Sequence, residues 1–357
     1  MTLRRFVYVC FAFLLAFSLP QPCFAEDGIP DAQAETPLAD ALPQSILDKR
    51  KTNFLTLVVE NDMFGKGTDK NYTSGVRLTY FNVNADFPDI AHRIAALIPT
   101  FDINPTSSIF YSLGQNLYTP DNISSTVMMP GDRPWAAHLY GSIGMATLTN
   151  NHIDEIEASL GVVGPWALGK QTQRFIHKHI SDSPTPRGWH NQIRNEPTLM
   201  LGWQRRWPAF VTASAGGFRF SAAPHIGLTL GNVHTFANTG FGFHFAPESD
   251  LWQDTPARVR PALPGTGYFE IPEKGWSWFL FGGVDTRAVA RDIFLDGNSF
   301  RDSPNVSKEH LVGDASLGLA LTFQQFRVSY TLNHRTKTHK TQNDNELFGA
   351  VSLNYRF

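Results

Sequence analysis

The sequence predicts an all-β protein, a transmembrane antiparallel β-barrel of about twelve strands, with a short helix in an extracellular loop. Three observations predict this class: segments of about ten residues alternate apolar and polar side chains, aromatic residues recur near their ends, and an export signal precedes them. The last segment is the clearest, because Val351, Leu353, Tyr355 and Phe357 share one face and polar side chains share the other. A soluble sandwich with one wet face is the alternative that this pattern leaves open.

Residues 1–25 have the features of a secretory signal peptide. Arg4 and Arg5 form a short basic region, residues 6–19 are apolar, and a small residue, Ala25, precedes the expected cleavage site. The apolar run is short for a bilayer span, so a transmembrane anchor is not favoured. The chain is therefore expected to be exported.

Composition excludes several classes of function. Both cysteines, Cys10 and Cys23, fall within the predicted signal peptide, so the exported chain would have no disulfide, thiolate metal site or cysteine nucleophile. The formal charge of −2 gives no electrostatic reason to expect a nucleic acid partner. Residues 26–51, rich in Pro, Ala and Asp, predict a flexible periplasmic leader, and residues 52–357 the outer-membrane barrel.

Alternation places the strands in order along the barrel. The expected strands are 53–60, 74–82, 109–116, 135–149, 152–162, 196–206, 208–217, 219–231, 276–290, 311–323, 326–334 and 346–357. Residues 86–98 predict a short amphipathic helix, and residues 232–275, rich in Gly, Pro and His, give no clear pattern. Lipid should contact the outward residues Leu55, Val76, Leu353 and Phe357, whereas the lumen should contain Arg77, Glu157 and Arg356.

An even number of strands places both ends of the barrel on the periplasmic side. The first strand then runs outward, and the loops at 61–71, 118–133 and 163–195 all fall at the extracellular rim. Three polar loops from separate parts of the chain are therefore expected to meet at one end of the barrel.

The first of these loops offers oxygen ligands. Asp62 supplies a carboxylate, and Asn61 and Thr73 supply neutral oxygens, a set that suits Ca²⁺. The alternative is that Asn61 and Asp62 form a turn that caps its own backbone.

The third loop contains a candidate general base. Gln173 and His177 are four residues apart, so a helix places both on one face, whereas His179 points elsewhere. A histidine oriented by an amide one turn away is suited to accept a proton. The alternative is a polar surface helix without a catalytic role. Two roles remain open for Glu196: it could support the site residues, or it could belong to a charge network in the lumen.

Seven motifs stand in order between residues 52 and 205: ENDMF at 60–64, YTSGVRL at 72–78, GQNLYTP at 114–120, GDRPWAAHLY at 131–140, LGVVGP at 160–165, QTQRFIH at 171–177 and GWHNQIRNE at 188–196. In this order and approximate spacing they resemble the outer-membrane lipid A 3′-O-deacylase family. The barrel pattern extends the resemblance to Phe357.

The resemblance implies a calcium-dependent esterase that removes the 3′-linked acyloxyacyl chain of lipid A in the outer leaflet. Carried over motif by motif, His177, Gln173, Asn61 and Thr73 are catalytic, and Asp62 with Asn61 binds Ca²⁺. His177 would take a proton from water, Gln173 would orient the imidazole or the water, and Ca²⁺ would polarise the ester carbonyl. Lipopolysaccharide is then the substrate, and a monomer in the outer membrane, with its site at the extracellular face, is expected.

One feature departs from the expected pattern for a lipid A enzyme. The second loop contains a single cation, Arg133, as a candidate ligand for the lipid A phosphates. Lys66 and Lys70 from the first loop are expected to add to it.

Two other functions remain open at this stage. An outer-membrane phospholipase would also use a histidine and Ca²⁺ at the rim, but it needs a serine nucleophile, for which the sequence offers no clear candidate. A non-enzymatic barrel, such as a passive pore, would tolerate substitution of the polar rim residues.

Overall fold

The computed structural model describes residues 53–65, 71–83, 85–97, 101, 103–149, 152–179, 184–208, 210–248, 253–262 and 264–357. The predicted signal peptide and leader lie outside the described residues. In the described part of the chain, no helix is both long enough and apolar enough to span a membrane.

The protein is a closed antiparallel β-barrel with twelve strand positions, which confirms the predicted fold class. Its strands are β1 (Phe54–Asn61), β2 (Asn71–Asn82), β3 (Ser108–Thr119), β4 (Ala136–Thr149), β5 (His152–Val163), β6 (Glu196–Arg206), β7 (Val211–Ala215), β8 (Phe218–Gly231), β9 (His234–Pro247), β10 (Trp276–Asp292), β11 (Leu311–Phe323), β12 (Phe326–Arg335) and β13 (Glu346–Arg356). Sequential strands pair along the wall, and β1 pairs with β13.

Thirteen segments fill twelve positions because β6 and β7 pair with the same strand, β8. β6 pairs with its second half and β7 with its first half. The strand expected at 208–217 does not occupy a position of its own in the barrel. The structure has a further strand, β9, within 232–275, where the sequence predicts none. These two differences cancel in the count. β9 escaped notice because Gly240, Gly242 and His244 alternate with its phenylalanines and weaken the apolar signal.

Among the described residues, three α-helices connect the strands: α1 (Asp89–Ala95), α2 (Gly169–His179) and α3 (Ile293–Asp296). The two predicted helices are thereby confirmed, α1 within 86–98 and α2 in the third loop. Because neighbouring strands are antiparallel, the β1–β2, β3–β4 and β5–β6 connections share one end of the barrel. That end is called the upper rim below.

The two faces of the wall carry the residues that alternation predicts. Leu55, Leu353 and Phe357 are exposed on the outer wall, and Val76 is half-buried. Inside, Arg77 forms a 2.8 Å ion pair with Glu157, and Arg356 is buried. Such pairing satisfies charges that would be costly in an enclosed lumen.

The lumen is filled by the connection between β9 and β10. Asp254 of this connection forms an ion pair with Arg206 on the wall, and the Arg327 guanidinium donates to the Gly267 carbonyl at 2.6 Å. Towards the upper rim, Phe294 of α3 stacks on Tyr118 with ring centroids 4.1 Å apart. The interior is thus a packed core of ion pairs and aromatic rings.

Candidate active site

The helix α2 lies against the outer side of the barrel wall at the upper rim. A Cβ added to Gly169 would lie 2.5 Å from the Ala137 side chain, so the helix begins in close contact with β4. Gln115 of β3 donates from Nε2 to the Ala167 carbonyl at 2.6 Å. Gln115 shares a strand face with the exposed Leu113, which is on the outer wall. The helix therefore faces lipid-contacting wall and does not cover the lumen.

The first loop turns sharply where β1 ends. Asn61 caps the short 3-10 helix Asp62–Phe64, because its Oδ1 accepts from the Met63 amide at 2.8 Å. The capping interpretation of Asn61 is confirmed, and the same turn buries Asp62, whose exposed fraction is 3%. The turn packs on β13, where Gly65 lies against the Leu347 carbonyl and leaves no room for a Cβ.

Thr73 lies at a β-bulge between Tyr72 and Ser74. Its hydroxyl is 2.6 Å from the hydroxyl of Thr119, and both residues are buried. A bulge re-aims a side chain without ending the strand, which explains how Thr73 leaves the regular alternation of β2.

Two polar residues beside Thr73 were missed by the sequence analysis. Thr119, which lies in the GQNLYTP motif, contacts Thr73 directly. Asn71 has a positive φ of 66° and a buried Oδ1 that has no hydrogen-bond partner among the described residues. Its position just before Tyr72-Thr73, after a polar loop, is the only signal that the sequence offered.

Gln173 is almost fully buried and is oriented by a tryptophan. The Trp189 indole Nε1 donates to Gln173 Oε1 at 2.8 Å, and Trp135 packs on Trp189 with centroids 5.0 Å apart. This bond fixes the direction of the amide, because only Oε1 can accept from an indole N–H. Gln173 Nε2, also buried, has no hydrogen-bond partner in the described part of the chain. The amide thus presents donors to the site.

A backbone carbonyl orients the imidazole of His177. Its Nδ1 is 2.7 Å from the carbonyl oxygen of Pro184. Because a carbonyl oxygen only accepts, the proton is assigned to Nδ1, and the lone pair is on Nε2. The Pro184 carbonyl therefore orients the imidazole, a role that the sequence analysis offered to Gln173.

The two halves of the candidate site share the wall of β3. Leu117 belongs to a buried cluster with Trp189 and Trp135. Two residues along, on the same strand face, Thr119 contacts Thr73. β3 is thus linked to Gln173 through the Trp189 cluster and to Thr73 through Thr119.

Arg133, one of the three candidate phosphate ligands, is not on this wall. Arg133 is buried inside the barrel, where its guanidinium lies 4.7 Å from the Tyr118 ring centroid and 4.0 Å from Glu346. An aromatic ring and a carboxylate hold this cation in the lumen, away from the outer wall where it was expected to meet a lipid A phosphate. Lys66 and Lys70 lie outside the described residues.

Glu196 has a structural role at the rim. Its carboxylate accepts from the Ser299 amide at 2.8 Å and from the Asn232 and Asn298 side chains at 3.0 and 3.1 Å. These bonds join β6 to two neighbouring rim loops.

The oxygen donors around Asp62 fit a calcium ion. They comprise one buried carboxylate, the Thr73 hydroxyl and the Asn61 amide oxygen, and Ca²⁺ accepts both charged and neutral oxygens in irregular geometry. Among the residues that the structure describes, no group of three or more His, Cys, Asp or Glu could hold a metal. A metal here would therefore be a hard cation held largely by neutral oxygens.

Exposed apolar side chains flank the candidate site. Trp166, Leu168 and Phe175 are exposed on the α2 side, and Met63 and Phe64 on the loop-one side. Because these residues continue the apolar outer wall, the surface around the site suits a lipid.

Comparisons with known proteins agree with this architecture. The solved structure of LpxR from Salmonella typhimurium superposes with a TM-score of 0.67 at 19% identity, covering 85% of this chain and 99% of that chain. The beta domain of the Bordetella autotransporter BrkA matches with a TM-score of only 0.40 at 6% identity, covering 85% and 98%, and carries no argument. A search of curated proteins found no match. The family model described as outer membrane protein LpxR matches residues 9–357, and the chain belongs to this outer-membrane family.

Proposed function

We propose that this barrel is a calcium-dependent lipid A 3′-O-deacylase that acts in the outer leaflet, with its site at the extracellular face. Membership of the LpxR family supports an outer-membrane enzyme that modifies lipid A. The observation that supports the proposal is that β3 contacts both parts of the expected site, through Leu117 beside the Trp189 that bonds Gln173 and through Thr119 beside Thr73. A lipid reaches the outer wall laterally, without entering the lumen.

The chemistry assigned to the chain is hydrolysis of an ester by water. His177 Nε2 takes a proton from water as the oxygen attacks the acyl carbonyl, and the ester C–O bond then breaks. The proton passes from His177 to the departing sugar oxygen, which leaves as the free 3′-hydroxyl. Gln173 Nε2 donates to the carbonyl oxygen as negative charge develops there.

Asp62, Asn61 and Thr73 are the residues that would hold Ca²⁺. When bound, the ion supplies Lewis-acid polarisation of the ester carbonyl. The burial of Asp62 within a glycine-containing turn keeps its carboxylate in place for this role.

The alternatives have less support from the structure. A passive pore needs an open lumen, whereas here ion pairs and aromatic rings fill it. An outer-membrane phospholipase needs a serine nucleophile beside its histidine, and the sequence offers no clear candidate for that serine.

Mass spectrometry of lipids from cells that express the chain separates the three functions. Loss of one 3′ acyloxyacyl unit from lipid A is expected with the wild type and not with His177→Ala. Accumulation of lysophospholipid would favour the phospholipase, and unchanged lipids with both proteins would contradict an enzymatic role.

A further inference from the structure

The lumen segment 253–262 reaches the back of the candidate site. Arg258 Nε donates to Glu60 Oε1 at 2.7 Å, and the Val259 amide donates to the same oxygen at 3.1 Å. Glu60 and Arg258 are both buried, with exposed fractions of 1% and 8%. The contact is thus an enclosed ion pair between the lumen segment and the end of β1.

Glu60 also joins the two strands that carry the candidate calcium ligands. The Tyr72 hydroxyl donates to Glu60 Oε2 at 2.9 Å. Glu60 directly precedes Asn61 and Asp62 in the chain, and Tyr72 directly precedes Thr73. One carboxylate on the lumen side therefore connects both loop segments whose side chains lie on the outer side.

The lumen segment is fixed at its other end. Asp254 forms an ion pair with Arg206 on β6, and the Arg327 guanidinium donates to the Asp254 and Gly267 carbonyls at 3.1 and 2.6 Å. The segment is bonded to the wall through Asp254 and to Glu60 through Arg258 and Val259. These two attachments restrict the movement of Glu60 relative to the wall. Gly75 makes room for this packing, since a side chain there would collide with Tyr72 and approach Val259.

We propose that residues 253–262 form an internal strut whose tip, Arg258 and Val259, positions the candidate calcium-binding loop through Glu60. Arg258, Glu60 and Tyr72 are positioning residues, because they act on Asp62 and Thr73 through the backbone. This inference rests on the proposed function for its kinetic consequence, but its structural consequence is measurable without it.

The chain offers a matched control two residues from Arg258. Arg260 belongs to the same segment and is also charged, but it pairs with Glu155 and Glu157 on β5. Arg258→Met and Arg260→Met each remove one cation of this segment from a carboxylate on the wall, Arg258 from a buried position and Arg260 from a half-buried one. Only Arg258→Met removes a bond to Glu60.

Two readouts on the full-length protein in detergent test the strut. Hydrogen exchange of the amides at 60–65 and 71–75 should become at least about fivefold faster in Arg258→Met and stay near wild type in Arg260→Met. The Ca²⁺ concentration for half-maximal deacylation should rise about tenfold in Arg258→Met alone, with partial rescue by Arg258→Lys. If Arg258→Met does not fold, both readouts are instead compared between Arg258→Lys and Arg260→Lys.

Equal exchange at these amides in the Arg258 and Arg260 variants would overturn the strut. Absence of lipid A deacylation by the wild type would instead overturn the proposed function, while the exchange comparison would still decide whether the strut positions the loop.

Discussion

At His177, one hydrogen bond decides which ring nitrogen can accept a proton. The Pro184 carbonyl occupies Nδ1, so proton transfer is assigned to Nε2. The spacing of Gln173 and His177 predicted their shared helix face, but no local pattern predicts that a carbonyl seven residues away orients the ring. Likewise, the sequence gives the charge of Arg133 but not its direction, which a ring and a carboxylate in the lumen determine.

Replacement of His177 by alanine should lower deacylation roughly a hundredfold or more, the usual size of a lost general base. His179→Ala is the control, because His179 is exposed on another face of α2 and packs at a tilt against the Phe175 ring. Wild-type activity should also fall on acidification, because a protonated imidazole cannot accept a proton from water. Equal losses in both variants, measured on folded heat-modifiable protein, would assign α2 a structural role only.

Replacement of Trp189 by phenylalanine tests the orientation of Gln173. The ring still packs on Trp135, but the bond to Gln173 Oε1 is lost and the amide is free to rotate. We expect kcat to fall about tenfold, in line with a lost hydrogen bond of about 1–1.5 kcal/mol, with KM little changed. Trp166→Phe, at an exposed position outside this bond, is the control. A wild-type kcat for Trp189→Phe would refute the positioning role.

At the scale of elements, the loop after β1 combines a cap, a buried carboxylate and a glycine that fits only without a side chain. Asp62→Asn keeps the volume and one amide oxygen but removes the charge that favours a cation. Chelation should abolish wild-type activity, added Ca²⁺ should restore it, and Asp62→Asn should need about tenfold more Ca²⁺ or fail to respond. Full wild-type activity in excess chelator would rule out the calcium role.

The connection between β12 and β13 supplies a pH-dependent contribution to stability. Burial, with Arg133 nearby, lowers the pKa of His339 to about 4. The unfolded chain, in which histidine titrates near about 6.5, binds more protons between these values, so stability is lost as pH falls from about 6.5 towards 4. His339→Gln should reduce the drop in unfolding temperature between pH 7 and pH 5, and an unchanged drop would contradict this assignment.

Strands could be predicted from the sequence where apolar and polar side chains alternate clearly, and could not be predicted where this alternation is weak. β1, β2 and β13 show apolar and polar faces in the sequence, whereas β9 alternates phenylalanine with glycine. The lumen segment is bonded by pairs such as Arg258–Glu60, separated by 198 residues, and such a contact leaves no local pattern. For the same reason Thr119 and Trp189 became site residues only when the strands were assembled.

At the scale of the whole molecule, the barrel separates two environments by a single wall. Its lumen is filled with buried ion pairs, and its outer surface is apolar up to the rim, where polar side chains interrupt it. A site on that outer surface meets lipid laterally, at the depth of the bilayer interface. We therefore expect the proposed site at this rim to hydrolyse the 3′ ester of a lipid A molecule that lies beside the barrel.

Deacylation of purified lipid A in H₂¹⁸O by the purified protein tests this claim most directly. We expect 3′-O-deacylated lipid A without label at the freed sugar hydroxyl, and a released acyloxyacyl acid with one ¹⁸O in its carboxylate. His177→Ala should give neither product. Unmodified lipid A, loss of a different acyl chain, or ¹⁸O on the sugar would contradict the account.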